Sequence, residues 1–359
     1  MAYVLITSHE EVAFGHLPLS FPGCRVILKR KTRKQDDMSK THLPIFGLGQ
    51  CSLDYIGSIA AYPPPDAKCE FSNLHCVGGG PVATAMVALS RWGKPCYFSG
   101  IVGDDAFGET IVACLQKEDV DTGGVVRRTG GQSQFAFVVA ETAAARRTLF
   151  WQRPTGPPLE SHELNREKLQ ECGMLYTDGF FTEASLLACV KAKEMGIPIV
   201  VDGGSPREGM LEMARMSDCF IASETFSRSI SHDPRETCSR LSELGCPFVG
   251  VTLGSRGYMA LVEGRWIVKE AYPAKTVDTT GCGDVFHAGV AYGILQGWDR
   301  EVCLDLGAWA AASVSTHPGG RKGIPSRREL EERYRGNCLL ISCHEASKNS
   351  GGRKEIHDR

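Results

Sequence analysis

No stretch of this 359-residue chain is apolar for long enough to cross a membrane, and its first residues lack the ordered charged, apolar and small-residue regions of a secretory leader. A cytoplasmic protein is expected. No CxxC pair occurs among the 15 cysteines, which are scattered through apolar segments, so they read as reduced thiols rather than a disulfide scaffold. The 10 histidines show no HExxH or comparable spacing, and no resident zinc is expected. A net charge of −2 gives no nucleic-acid surface, and the one basic run, Lys29-Arg30-Lys31-Thr32-Arg33-Lys34, lies in a poorly patterned segment and reads as solvated. No GxxxxGK[ST] occurs either, and Gly47-Leu48-Gly49-Gln50-Cys51-Ser52 lacks the last glycine of a dinucleotide fingerprint. P-loop enzymes and nicotinamide dehydrogenases are thereby set aside.

What is present is enough apolar residue, 42%, to bury one large α/β core. Strand and helix patterns alternate from Ile45 through the segment after Asp284, which implies a largely parallel sheet with helices on both faces. Two regions interrupt the rhythm, about 51–77 and 133–152, where strands follow one another without helices. They are expected to form a small antiparallel sheet that covers a cleft, with 43–335 as the compact domain, 1–42 as an extension and 336–359 as a tail.

The segment Asp278-Thr279-Thr280-Gly281-Cys282-Gly283-Asp284 places a carboxylate behind a glycine-rich turn that opens an apolar helix. Unpaired N–H groups at a helix start attract anions, and Gly281 and Gly283 let backbone curl around phosphate oxygens. Asp284 could then take a proton from an attacking hydroxyl, or merely complement the helix dipole.

Three further segments bear on that choice. Gly79-Gly80-Pro81 opens a helix, Gly100-Ile101-Val102-Gly103-Asp104-Asp105-Ala106-Phe107-Gly108 joins a strand to a helix, and Val251-Thr252-Leu253-Gly254-Ser255-Arg256-Gly257 forms a late turn. With the Asp278 segment they resemble, in order, the motifs of the ribokinase-like PfkB sugar kinases. The resemblance implies a three-layer α/β/α sandwich with an inserted β-sheet lid, and ATP-dependent phosphorylation of a hydroxyl, most simply a primary one, on a sugar or sugar-like acceptor. It implies that Asp284 is the base, that Gly281, Cys282 and Gly283 form the anion hole, and that Asp54, Gly79, Gly80 and Thr84 border the acceptor. Thr252, Gly254, Gly257 and Gly319 would line the nucleotide, Mg2+ would bridge its phosphates with Glu224 acting indirectly, and K+ could lie beside Asp278 and Thr280. Arg153, in a hairpin resembling that of the fructokinase branch, could contact an anionic group of the acceptor, or stand as an exposed lid charge. Asp54 has the same bland alternative.

The chain departs from the family pattern where Thr84 replaces a sugar-binding Asn, where Ser223 and Phe226 replace the polar ends of an Asn-x-x-Glu, and at Cys282, which replaces Ala. The first two keep open a catalytically weak binding or scaffold protein, and a nucleoside kinase of the same fold is a further alternative. Cys282, at a helix start, is expected to have a lowered thiol pKa. The apolar residues Phe135, Phe137 and Val139 suggest a homodimer paired through the lid.

Overall fold

A computed structural model describes residues 42–143 and 146–337. The basic run, the extension before residue 42 and the tail beyond 337 lie outside the described residues. Strand β1 (Ile45–Leu48) opens the main sheet, and β2 (Ser52–Ile59) and β3 (Ser72–Gly79) leave it for a second one. Strands β4 (Cys96–Gly103) and β5 (Val120–Arg128) return, and β6 (Phe135–Glu141) and β7 (Arg146–Gln152) leave again. Strands β8 (Met174–Thr177), β9 (Ile199–Gly203), β10 (Cys219–Ser223) and β11 (Phe248–Thr252) complete the parallel part. The pair β12 (Tyr258–Val262) and β13 (Arg265–Lys269) adds an antiparallel edge.

The nine-stranded order is β13-β12-β11-β10-β9-β8-β1-β4-β5. Its inner strands β1, β8 and β9 are buried along their whole length, as strands covered on both faces must be. Helices α1 (Pro81–Arg91), α2 (Ala106–Gln116), α3 (Arg166–Gln170), α4 (Thr182–Glu194), α5 (Met210–Met216), α6 (Glu224–Ile230), α7 (Pro234–Glu243), α8 (Cys282–Leu295), α9 (Arg300–Ser315) and α10 (Arg327–Arg333) fill the connections. Val82, Met86, Leu89, Val290 and Leu306 form one core layer, and Ala188, Met213, Phe226 and Leu241 form the other. The expected sandwich is therefore present.

The second sheet has the order β3-β2-β6-β7, and it corrects one expectation. It is mixed, because β2 and β6 run parallel, with Leu53 opposite Phe135 and Ile59 opposite Glu141. The chain enters this sheet twice from the same side, once after β1 and once after β5, so its two entering strands must point the same way.

Candidate active site

The carboxyl ends of the parallel strands, where ligands of open α/β sheets bind, carry acidic residues under the small sheet. Asp178 follows β8 directly, and Asp202 is the penultimate residue of β9. Gly281 caps α8 at φ 72°, and a Cβ there would lie 2.5 Å from the Gly320 Cα, so only glycine fits without displacing backbone. A Cβ on Gly283 would meet nothing within 4 Å. Val285 is the first residue to close a helical bond, onto the Gly281 carbonyl at 2.9 Å, whereas the Cys282 N–H leans on the Thr279 carbonyl at 3.4 Å. Among the described residues the amides of Gly283 and Asp284 have no backbone acceptor, so Cys282 is a weaker donor than its neighbours in this turn.

Asp284 follows in the first turn of α8 and is half-buried. Its burial, then the negative charge of Asp202, push its carboxyl up to about 7, while His287 and Arg321 pull the other way. That is the range in which a general base works at neutral pH. Cys282 overturns its expectation: burial, joined by Asp278 and Asp284, pushes the thiol up to about 12, because desolvation of a thiolate outweighs the pull of the helix start.

Asp54, on β2, is 7% exposed, which rules out a free lid charge. Its Oδ1 accepts from the Ser52 hydroxyl at 2.7 Å, and its Oδ2 lies where a Cβ of Gly79 would need to be, 2.0 Å away. Burial raises its pKa, with Ser52 and Arg321 opposing. Gly80, at φ 89°, caps α1. Thr84 is buried, and its hydroxyl accepts from Arg321 Nε at 3.4 Å, while Arg321 Nη2 donates to the Gly79 carbonyl at 3.1 Å. The place of the missing Asn is thus joined to a buried guanidinium.

Arg153 stays exposed, with its guanidinium 5.2 Å from the Trp151 ring centre and 5.8 Å from that of Phe180. Arg207 lies over the same Phe180 at 5.4 Å and donates to the Asp178 carbonyl at 3.1 Å. The Asp178 carboxylate accepts from Gln50, whose backbone leads into β2. From β7, Arg147 Nη1 reaches the Thr280 hydroxyl at 2.8 Å and Asp278 Oδ1 at 3.4 Å. Asp278 also accepts from the Thr280 amide and hydroxyl and, at 2.9 Å, from the Gly319 N–H, which clamps two loops together.

In the segment expected to line a nucleotide, Thr252 donates to the Ala222 carbonyl at 3.4 Å. Gly254 and Gly257 take φ of 60° and 87°. Glu224 is held by Arg256 at 2.8 Å and Arg228 at 2.6 Å, and these bonds, Arg256 first, lower its pKa. Ser223 caps α6 by accepting from the Phe226 N–H at 3.0 Å, and Phe226 packs on Phe220 in the core. Among the described residues no cluster of three His, Cys, Asp or Glu could cage a metal.

Five residues of this region escaped the sequence reading: Asp178, Asp202, Arg207, His287 and Arg321. Asp178 and Asp202 had a signal, an acidic residue at the end of an apolar strand. Arg321 had none, since its neighbours come from distant segments.

The same architecture recurs among solved structures. A ribokinase-annotated protein of Agrobacterium tumefaciens superposes with TM-score 0.75 at 22% identity, over 82% of this chain and 98% of that one. A ribokinase II of E. coli solved with ATP and Mg2+ gives 0.71 at 21%, over 81% and 98%. In sequence, a sugar kinase of Archaeoglobus fulgidus is 28% identical over 67% of this chain and 98% of its own length. Fructokinase-1 of Oryza sativa is 26% identical over 80% and 96%. The description of pfkB family carbohydrate kinases matches residues 43–327, a span that holds the acidic cleft, the glycine turn and the covering sheet, and the chain belongs to that family.

Proposed function

We propose that the protein transfers the γ-phosphoryl group of ATP to a hydroxyl, a primary one, of a sugar or sugar-like acceptor. The observation that carries this reading is the Asp284 carboxyl, pushed up to about 7, one residue beyond the open space at Gly283. Asp284 accepts the proton of the attacking hydroxyl, and the amides of the turn face the charge that spreads over the transferred group. Asp54 accepts from two acceptor hydroxyls and leaves a third directed at the phosphate. Mg2+ would arrive on the nucleotide phosphates and keep several waters, with Glu224 acting indirectly. When bound, that ion neutralises phosphate charge.

Two guanidinia, Arg153 and Arg207, converge on Phe180 without a carboxylate ion pair among the described residues, which favours an acceptor with an anionic group. A coupled ADP-release assay over neutral and acidic sugars, run in K+ and in Na+ to test the cation proposed beside Asp278 and Thr280, decides the reading. Release with no acceptor in the panel would sink it and favour a binding protein.

In that assay Asp54→Ala should raise the acceptor KM for every acceptor, by roughly 10- to 100-fold, with the ATP KM little changed. Arg153→Ala should do so mainly for an acidic one. Unchanged acceptor KM in both variants would return these residues to structural roles.

We also propose a homodimer through the small sheet, in a cytosolic setting. Leu74, Phe137 and Phe150 are 55%, 41% and 55% exposed, and register places Phe137 directly opposite Phe150. Phe135 is half-buried against Phe107, so the patch is smaller than its sequence suggests. Light scattering at micromolar concentration should give twice the 39.0 kDa chain mass; a monomer, or a dimer that survives Phe137→Asp with Phe150→Asp, would overturn this.

A further inference from the structure

His287 lies one helical turn beyond Gly283 on α8 and is 2% exposed. Both of its ring nitrogens face acceptors. Nδ1 is 2.7 Å from the Gly283 carbonyl oxygen, and Nε2 is 2.9 Å from the Ile221 carbonyl oxygen of β10 and 3.4 Å from Asp202 Oδ1 of β9. Tyr176 of β8 donates its hydroxyl to the other Asp202 oxygen at 3.3 Å. A neutral imidazole has one N–H and one lone pair, so either tautomer would set a lone pair against a carbonyl at hydrogen-bonding distance. Two ring protons satisfy every partner, and Asp202 supplies the balancing charge.

We propose that His287 is a doubly protonated positioning residue for phosphoryl transfer. It ties the Gly283 carbonyl, and with it the anion-binding turn, to the interior of the sheet, and it presents a positive charge to Asp284. A Cβ on Gly283 would meet nothing within 4 Å, and the ring's bond to the Gly283 carbonyl braces, from within the helix, the peptide that carries the Asp284 amide. This inference rests on Asp284 being the base.

The charges that face Asp284 come from every neighbouring element. Asp54 from β2 and Asp202 from β9 disfavour its ionisation, His287 on its own helix and Arg321 beyond α9 favour it, and Tyr176 of β8 and Cys282 lie within reach. Asp202 and Asp284 are the acidic groups that face the imidazole. Removing the ring's charge therefore makes Asp284 harder to ionise, and a base that must be ionised needs higher pH.

His287→Gln in the full chain should lower kcat roughly 10- to 100-fold and move the acid limb of the kcat–pH profile up by about one pH unit, with the ATP KM changed less than about threefold. A merely structural role would lower the folded fraction without moving the limb. A folded His287→Gln with the limb in place and kcat near wild type overturns the proposal. Where that variant does not fold, histidine ring NMR of the wild-type protein decides: a buried ring with two attached protons at pH 7.5 supports it, and a single tautomer with one proton overturns it. That spectrum needs no turnover, so it fails independently of Asp284→Asn, which tests the base itself.

Discussion

Asp284→Asn is expected to lower kcat by roughly two to four orders of magnitude while leaving the ATP KM nearly unchanged. The amide keeps the shape of the carboxylate and loses only its capacity to take a proton. In the wild-type enzyme kcat should fall about tenfold per pH unit below about 7, because that is where burial and Asp202 place the Asp284 titration. The same displacement has a stability counterpart with the opposite sign. The folded-state pKa lies above the ordinary carboxylate value of 3.8, so the folded protein binds this proton more tightly than the unfolded chain does, and stability is lost as pH rises from about 4 through about 7. Asp284→Asn should therefore be more stable than wild type at pH 8, by roughly 1–4 kcal/mol, with the difference vanishing below about pH 4. Thermal melts at the two pH values check it. Near-normal turnover in the variant would remove Asp284 from the chemistry, and an unchanged melt at pH 8 would remove the buried charge.

Gly79→Ala should act on a residue it does not replace. The new Cβ would lie 2.0 Å from Asp54 Oδ2, and the neighbour that must yield is a side chain with no room to turn, since Asp54 is buried and tied to Ser52. The carboxylate is then displaced from the position in which it is proposed to hold two hydroxyls. Losing two charge-assisted hydrogen bonds at about 1.5–3 kcal/mol each predicts an acceptor KM raised roughly 100-fold or more, with the ATP KM unaffected. Steady-state kinetics with each substrate varied in turn would show it. If both KM values moved together, Gly79 would be acting on the closure of the cleft rather than on Asp54.

The parallel part of the fold was legible because its signal is local. Apolar runs such as Met174–Thr177 and Phe248–Thr252 occur as strands with the bounds the sequence suggests, and the helix after Gly281 begins at Cys282, inside the glycine turn. Strand β5 was missed because Gly123 and Gly124 break its pattern, yet Gly124 is what leaves room for the Tyr97 ring, 2.7 Å from where its Cβ would stand. The direction of β2 against β6 was not legible at all, since pairing sense depends on where the chain re-enters the sheet. In the cleft, Asp54 and Asp284 were readable from their motifs. His287 and Arg321 owe their roles to carbonyls and carboxylates from distant strands, and no spacing in the sequence encodes those meetings.

Because β2 and β6 run parallel while each pairs antiparallel with its outer neighbour, Ser52, Gly79, Phe135 and Gln152 all stand at one end of the small sheet. The sheet would thus act as a lever with its fulcrum at the residues proposed to bind the acceptor. Asp54 and Arg153 lie beside the fulcrum, and Arg147 lies roughly 17 Å out along the arm, at a rise of about 3.3 Å per residue. A swing of ten degrees would carry Arg147 about 3 Å from Thr280 yet displace Asp54 by a small fraction of that. If the acceptor binds as proposed, the grip on the sugar would be set at the pivot, and the far end of the arm, through Arg147 and Thr280, would gauge how fully the cleft has shut.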